Sequence, residues 1–138
     1  MQTPWLFIYG SLRMSFKNEA YQYISEYFQF ESMAKIKGIL YDAGNHPVAK
    51  PSAGENYITG ELYKIKDPLL FDWAITQLDD YEGVCVEAYE PQLYRRDLSE
   101  LDFNGEKIEA SVYWFNGDIS KMPLLPMGDV MEYFKRKK

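Results

Sequence analysis

Three short segments of the 138-residue chain combine residue types that could do chemistry. The first is Tyr9-Gly10-Ser11-Leu12-Arg13, where an apolar run gives way to helical spacing. Glycine lets the backbone approach a ligand, and successive amides at a strand-to-helix turn point into a concavity that suits a carboxylate or phosphate. No further glycines follow in register and no Gly-Lys-Ser/Thr follows, which excludes a dinucleotide fingerprint and a phosphate loop. An ordinary strand-to-helix corner would have the same composition. The second segment is Leu78-Asp79-Asp80-Tyr81-Glu82-Gly83, three carboxylates at the end of a helical pattern. A helix C-terminus carries partial negative charge, so a buried acid there is disfavoured as an ion and its pKa rises. A carboxylate of that kind is what general acid/base work near neutral pH requires. Glu82, beside Gly83, is the one aimed by the helix end, and solvated helix-end acids are the alternative. The third is Tyr94-Arg95-Arg96, where strand alternation sends Tyr94 and Arg96 to one face and Arg95 to the other. One arginine could anchor a carboxylate or orient an acid; both could equally pair with surface acids. Cys85 and His46 contain the elements of an acyl-transfer dyad, but nothing in the sequence turns one toward the other, and a buried apolar Cys85 with a loop His46 fits as well.

The elements that must position these groups follow from periodicity. Trp5-Leu6-Phe7-Ile8-Tyr9 is a continuous apolar run stopped by Gly10, the pattern of a central strand covered on both faces. Ser15 can cap a helix over about 16–29, with Ala20, Tyr23, Ile24, Tyr27 and Phe28 as its stripe. Met33 to Tyr41 alternates, Lys35 and Lys37 against Ala34 and Ile36, as a half-exposed strand does. Gly and Pro breakers make 42–56 a loop around a short Pro47-Val48-Ala49 piece, and Tyr57 to Ile65 is a further strand. Asp67-Pro68 starts a second helix with Leu70, Trp73, Ala74, Leu78 and Tyr81 facing inward, ending at Glu82 before Gly83. Gln92 to Leu98 and Ile108 to Phe115 face each other across Asn104-Gly105, a dipeptide that accepts the positive φ angles of a tight hairpin. Val130, Tyr133 and Phe134 leave room for a short terminal helix. Strands outnumber helices, which implies an α+β architecture with a mixed, barrel-like sheet and two main helices.

Length and composition bound the function. One domain spanning 1–138 has enough chain to bury roughly two thirds of its unfolded surface. Eight Phe, three Trp and twelve Tyr among 46% hydrophobic residues exclude a disordered or low-complexity chain. A net charge of −6 argues against a broad nucleic-acid surface, and the terminal run Lys135 to Lys138 is the size of a solvated end. One cysteine cannot close an internal disulfide, and with one histidine it cannot assemble a zinc site, so a reducing compartment is expected. The opening Met1-Gln2-Thr3-Pro4 has no basic leader, and no apolar run approaches the ~20 residues that span a bilayer. The expectation is a soluble cytoplasmic protein without nucleic-acid or membrane partners.

Taken in order, Tyr9-Gly10-Ser11-Leu12-Arg13, Gly38-Ile39-Leu40-Tyr41-Asp42 with Gly44 and Pro47-Val48-Ala49, Gly60-Glu61-Leu62-Tyr63, Leu78 to Gly83, Tyr94-Arg95-Arg96 and Val112-Tyr113-Trp114-Phe115 resemble the gamma-glutamylcyclotransferase-like family, from about residue 5 to 116. The resemblance implies a small α+β fold around a barrel-like sheet. It also implies an acyl-transfer chemistry: active members cyclise a gamma-glutamyl group onto its own α-amine, releasing 5-oxoproline and a free amine, with no metal or cofactor. Carried over residue by residue, the ligand-cradling turn falls on Tyr9, Gly10, Ser11 and Leu12, and the acid/base glutamate on Glu82. Tyr94 and Tyr113 are further substrate-pocket candidates on the same basis, with a packing role as the alternative. The implied partner is a small-molecule gamma-glutamyl substrate. Met14-Ser15 and His46 depart from the usual pattern near the presumed pocket mouth, which leaves the leaving amine open. The rival expectation is a non-catalytic module that holds a small carboxylate or a peptide end on the same amide-rich turn.

Overall fold

In the computed structural model, residues 3–9, 19–44, 47–82, 94–125 and 128 are described. Their elements are β1 (Trp5–Ile8), α1 (Glu19–Tyr27), β2 (Phe28–Asp42), β3 (Pro47–Pro51), β4 (Tyr57–Ile65), α2 (Phe71–Glu82), β5 (Tyr94–Phe103), β6 (Glu106–Phe115) and β7 (Leu124–Leu125). One sheet carries the strands in the order β3-β2-β4-β1-β6-β5, with β7 also on β2. The β1–β6 pair is parallel and its neighbours are antiparallel, so the sheet is mixed. It curls until β2 packs against β5 and β3 against β6. This is the expected α+β architecture, a half-barrel with two helices.

Each element has a local cause. β1 is central, with Leu6, Phe7 and Ile8 buried, as its unbroken apolar run requires. β4 spans Tyr57–Ile65, the limits expected for that strand. The β5–β6 hairpin turns on Asn104 and Gly105, whose φ values of 52° and 81° are the positive pair that this dipeptide tolerates. A bulge between Phe30 and Ser32 lets the 15-residue β2 bend around the curl, pairing with β4 along its first part and with β3 and β7 along its second. Gly60 is needed for closeness: a Cβ there would lie 2.5 Å from the Ile8 carbonyl oxygen and 2.5 Å from the Phe7 ring.

Two departures from the sequence reading have physical reasons. Phe28 opens β2 instead of closing the helical stripe, because its ring meets Phe71 edge-on at 6.3 Å while its backbone pairs with Ile65. Tertiary packing outweighs helical spacing there. Among the described side chains of the second helix the buried ones are Phe71, Ala74, Ile75, Leu78 and Asp79, with that of Tyr81 outside the described part, whereas Trp73, and Leu70 in the turn before it, are exposed. Asp67 caps as expected, accepting from the Leu69 amide at 3.0 Å, but Pro68–Leu70 form a 3-10 turn before α2 begins. The tighter winding rotates the helical phase, so the inward stripe starts at Phe71.

The core has two halves on opposite faces of the sheet. Between the sheet and the helices lie Leu6, Ile8, Ile24, Phe28, Tyr63, Phe71, Ala74, Ile75, Leu78 and Tyr113. Inside the curl lie Phe7, Tyr9, Ile36, Leu40, Ile58, Leu62, Val112 and Trp114. The C-terminal end of β1 sits between these halves, and the candidate turn follows it directly.

Candidate functional site

Tyr9 is the first residue after β1, and its side chain belongs to the interior of the curl. Its ring stacks on Trp114 with centroids 6.3 Å apart, and its hydroxyl donates to the Tyr113 carbonyl. Its ring is thus committed to packing in the inner half of the core. Gly10, Ser11 and Leu12 lie outside the described residues.

Opposite this strand end stands the last turn of α2, which runs Asp79-Asp80-Tyr81-Glu82 and carries no basic residue. Asp79 points inward and is 5% exposed. Its carboxylate accepts two hydrogen bonds from the Arg96 fork, Nε to Oδ1 at 2.8 Å and Nη2 to Oδ2 at 3.1 Å. The Tyr113 hydroxyl donates a third bond to Oδ1 at 2.8 Å. Such charge-assisted, bidentate bonds are stronger and more directional than neutral ones. Glu82 ends α2 three residues beyond Asp79; its side chain lies outside the described part, as do Cys85 and His46.

The two arginines separate as alternation requires. Arg96 faces α2 and Tyr113, while Arg95 pairs with Asp97 on the other face at the surface. Arg96 therefore meets Asp79 of the acid-rich helix end, and Arg95 meets an acid at the surface. Tyr94 opens β5 on the Arg96 side, half-buried against the helical half of the core, with its ring edge-on to Phe115 at 5.7 Å. Tyr94 and Tyr113 thus share one face of the β5–β6 hairpin.

One residue of this face was carried in the sequence only as part of a motif. Glu61 is 3% exposed on β4, accepts from the Tyr63 hydroxyl at 2.9 Å, and pairs in register with Ile8 and Met33. β1 and β6 run parallel through Leu6 and Ser111, so two residues on Ile8 stands beside Tyr113. Glu61, Ile8, Tyr113 and Arg96 therefore cross the sheet in one lateral row at the level where β1 ends. The signal available in the sequence was an acid flanked by Gly60 and by Leu62-Tyr63 in the interior of a strand pattern. Among the described residues, no three His, Cys, Asp or Glu converge as a metal-ligand set.

The family model for AIG2-like gamma-glutamyl cyclotransferase matches residues 6–132. The chain belongs to that family. Among solved structures, it is similar to an AIG2-like protein from Mus musculus, with a TM-score of 0.66 and 20% identity over 91% of this chain and 88% of the mouse one. It is also similar to YtfP from Escherichia coli, with a TM-score of 0.61 and 25% identity over 97% and 99% of the two chains. YkqA from Bacillus subtilis gives a TM-score of 0.68 and 24% identity over 99% of this chain, which spans 43% of the length of YkqA. No curated protein sequence matches the chain. Among the described residues, no helix of this cyclotransferase-family chain is long and apolar enough to cross a membrane.

Proposed function

We propose that the protein is a gamma-glutamyl cyclotransferase acting on a small gamma-glutamyl amine or peptide in a reducing, cytoplasmic setting. The observation that carries the reading is the family match over residues 6–132, which spans both the turn after β1 and Glu82 at the end of α2. In this reading the α-ammonium of the substrate first loses a proton to the Glu82 carboxylate. The freed amine nitrogen attacks the γ-carbonyl carbon, forming the C–N bond of a five-membered ring and placing negative charge on the carbonyl oxygen. Backbone amides of Gly10 to Leu12 stabilise that charge or hold the α-carboxylate. As the intermediate collapses, the bond to the leaving nitrogen breaks and protonated Glu82 gives its proton to the departing amine; the regenerated carboxylate takes the second proton of the former ammonium from the ring nitrogen and passes it to the released amine, which leaves as an ammonium. The products are 5-oxoproline and a free amine, with no net change in protons on the enzyme.

Both partners of the ring closure belong to one molecule, so positioning supplies much of the acceleration and acid/base transfer the rest. Tyr94, beside Arg96 on the β5–β6 face, is proposed to line the substrate pocket, and Tyr113 to contribute from the same face. Arg96 and Arg95 each already meet an aspartate, which favours the amide turn for the substrate's carboxylate. The test is 5-oxoproline release from a panel of gamma-glutamyl amino acids, dipeptides and gamma-glutamyl-lysine adducts. Release from a subset names the leaving amine; absence of release from every member by folded protein overturns the reading.

A further inference from the structure

We infer that Asp79 and Arg96 are positioning residues that fix the last turn of α2, and with it the acid at Glu82, against the β5–β6 hairpin. The inference rests on the cyclotransferase reading for the role of Glu82, but the pinning itself stands on geometry. A helix that ends in Asp79-Asp80-Tyr81-Glu82 with no basic residue in that turn opposes its own dipole, since acids are disfavoured at the negative end. Such an end frays unless a cation comes from elsewhere. Arg96 brings it from β5, and Tyr113 brings a hydroxyl from β6 to the same carboxylate.

Three bonds from two strands fix both the rotation and the height of the helix end, which an apolar contact would not do. The arrangement is also costly to build: a well-packed apolar pair often serves stability as well as a buried ion pair does. A directional pair is therefore best explained by a demand for orientation, and the residue one turn on is Glu82. Displacing a reacting group by about 1 Å can slow turnover by about 100-fold, which is the scale of effect expected if this end is loosened.

The experiment compares wild type with Arg96→Met, Arg96→Lys and Asp79→Asn, each also in a Glu82→Gln background. For 5-oxoproline release, kcat falls about 100-fold in Arg96→Met while KM moves by less than about threefold. Arg96→Lys, which keeps the charge and loses the fork, falls in between and serves if Arg96→Met does not fold. In the Glu82→Gln background the same changes cause no further loss of residual turnover, because the group they position is already gone. Amide hydrogen exchange at 79–82 accelerates by about tenfold or more in the Arg96 variants, while 71–75 is unchanged. Full kcat in a folded Arg96→Met protein, or an equal further loss in the Glu82→Gln background, overturns the inference and leaves the cyclotransferase reading standing. If wild type releases no 5-oxoproline, that reading fails instead. Hydrogen exchange then decides the pinning alone, which unchanged exchange at 79–82 overturns.

Discussion

Arg95 and Arg96 are neighbours in sequence with opposite surroundings, and they form an internal control for what burial does to an ion pair. Replacing each in turn by Met removes the charge and keeps much of the side-chain length. At Arg96 the partner side chain, Asp79, is 8% exposed and the arginine 27%. Removing one partner of a buried pair costs about 3–5 kcal/mol, because the other charge is left buried. Tyr113 still donates to Asp79 and water reaches the vacated side, so about 2–3 kcal/mol is expected for Arg96→Met. At Arg95 the pair with Asp97 is 38% and 48% exposed, and exposed pairs contribute about 0–1 kcal/mol. For a chain of this length the unfolding entropy is about 0.3 kcal/mol/K, so Arg96→Met lowers Tm by about 7–10 °C and Arg95→Met by about 3 °C or less. Calorimetry with urea titration measures both. Equal losses from the two variants, or a loss below about 1 kcal/mol at Arg96, would refute the assignment of Arg96 to a buried structural pair.

Other perturbations test other joints of the fold. Gly60→Ala forces a methyl against the Ile8 carbonyl and the Phe7 ring and costs about 1–3 kcal/mol, read as a lower urea midpoint with unchanged slope. Trp114→Ala, at 1% exposure and with its indole N–H donating to Ser99, costs about 3–5 kcal/mol. Trp73→Ala, at 52% exposure, costs about 1 kcal/mol or less; equal urea midpoints for the two would contradict the observed phase of α2. The Ser120 backbone amide, with its hydroxyl, holds the Asp118 carboxyl below its ordinary value. Stabilisation of that sign is present above the ordinary carboxylate range and is lost as pH falls through the folded value. Asp118→Ala therefore lowers Tm slightly at neutral pH, and thermal scans of variant and wild type converge in strong acid.

What the sequence disclosed and what it withheld divide along local and non-local physics. The Asp67-Pro68 start, the Asn104-Gly105 turn, the limits of β4 and the opposite facing of Arg95 and Arg96 are legible because each depends on a few adjacent residues. Phe28 was misplaced because a ring contact with Phe71, more than forty positions away, decides its state. Trp73 is exposed because the 3-10 turn before α2 rotates the helical phase, and Leu70 because it lies in that turn. At the candidate site, the acid-rich segment does close α2 at Glu82, as its spacing implied, while the turn after β1 lies outside the described residues. Spacing alone could not say that Asp79 takes Arg96 and Tyr113 as partners, since those contacts join α2 to β5 and β6. Glu61 went unassigned for a related reason: a lone acid in a strand becomes informative once the sheet shows it buried in one row with Ile8, Tyr113 and Arg96.

The role of Glu82 is decided by 5-oxoproline formation by wild type and by Glu82→Gln, measured side by side on the best substrate of the panel. Formation by wild type is expected, with a loss of at least about 100-fold in a Glu82→Gln protein that keeps its fold, since amide nitrogen and oxygen preserve the size of the group but not its basicity. Equal rates from the two proteins would contradict the assignment of Glu82 as the acid and base of the reaction.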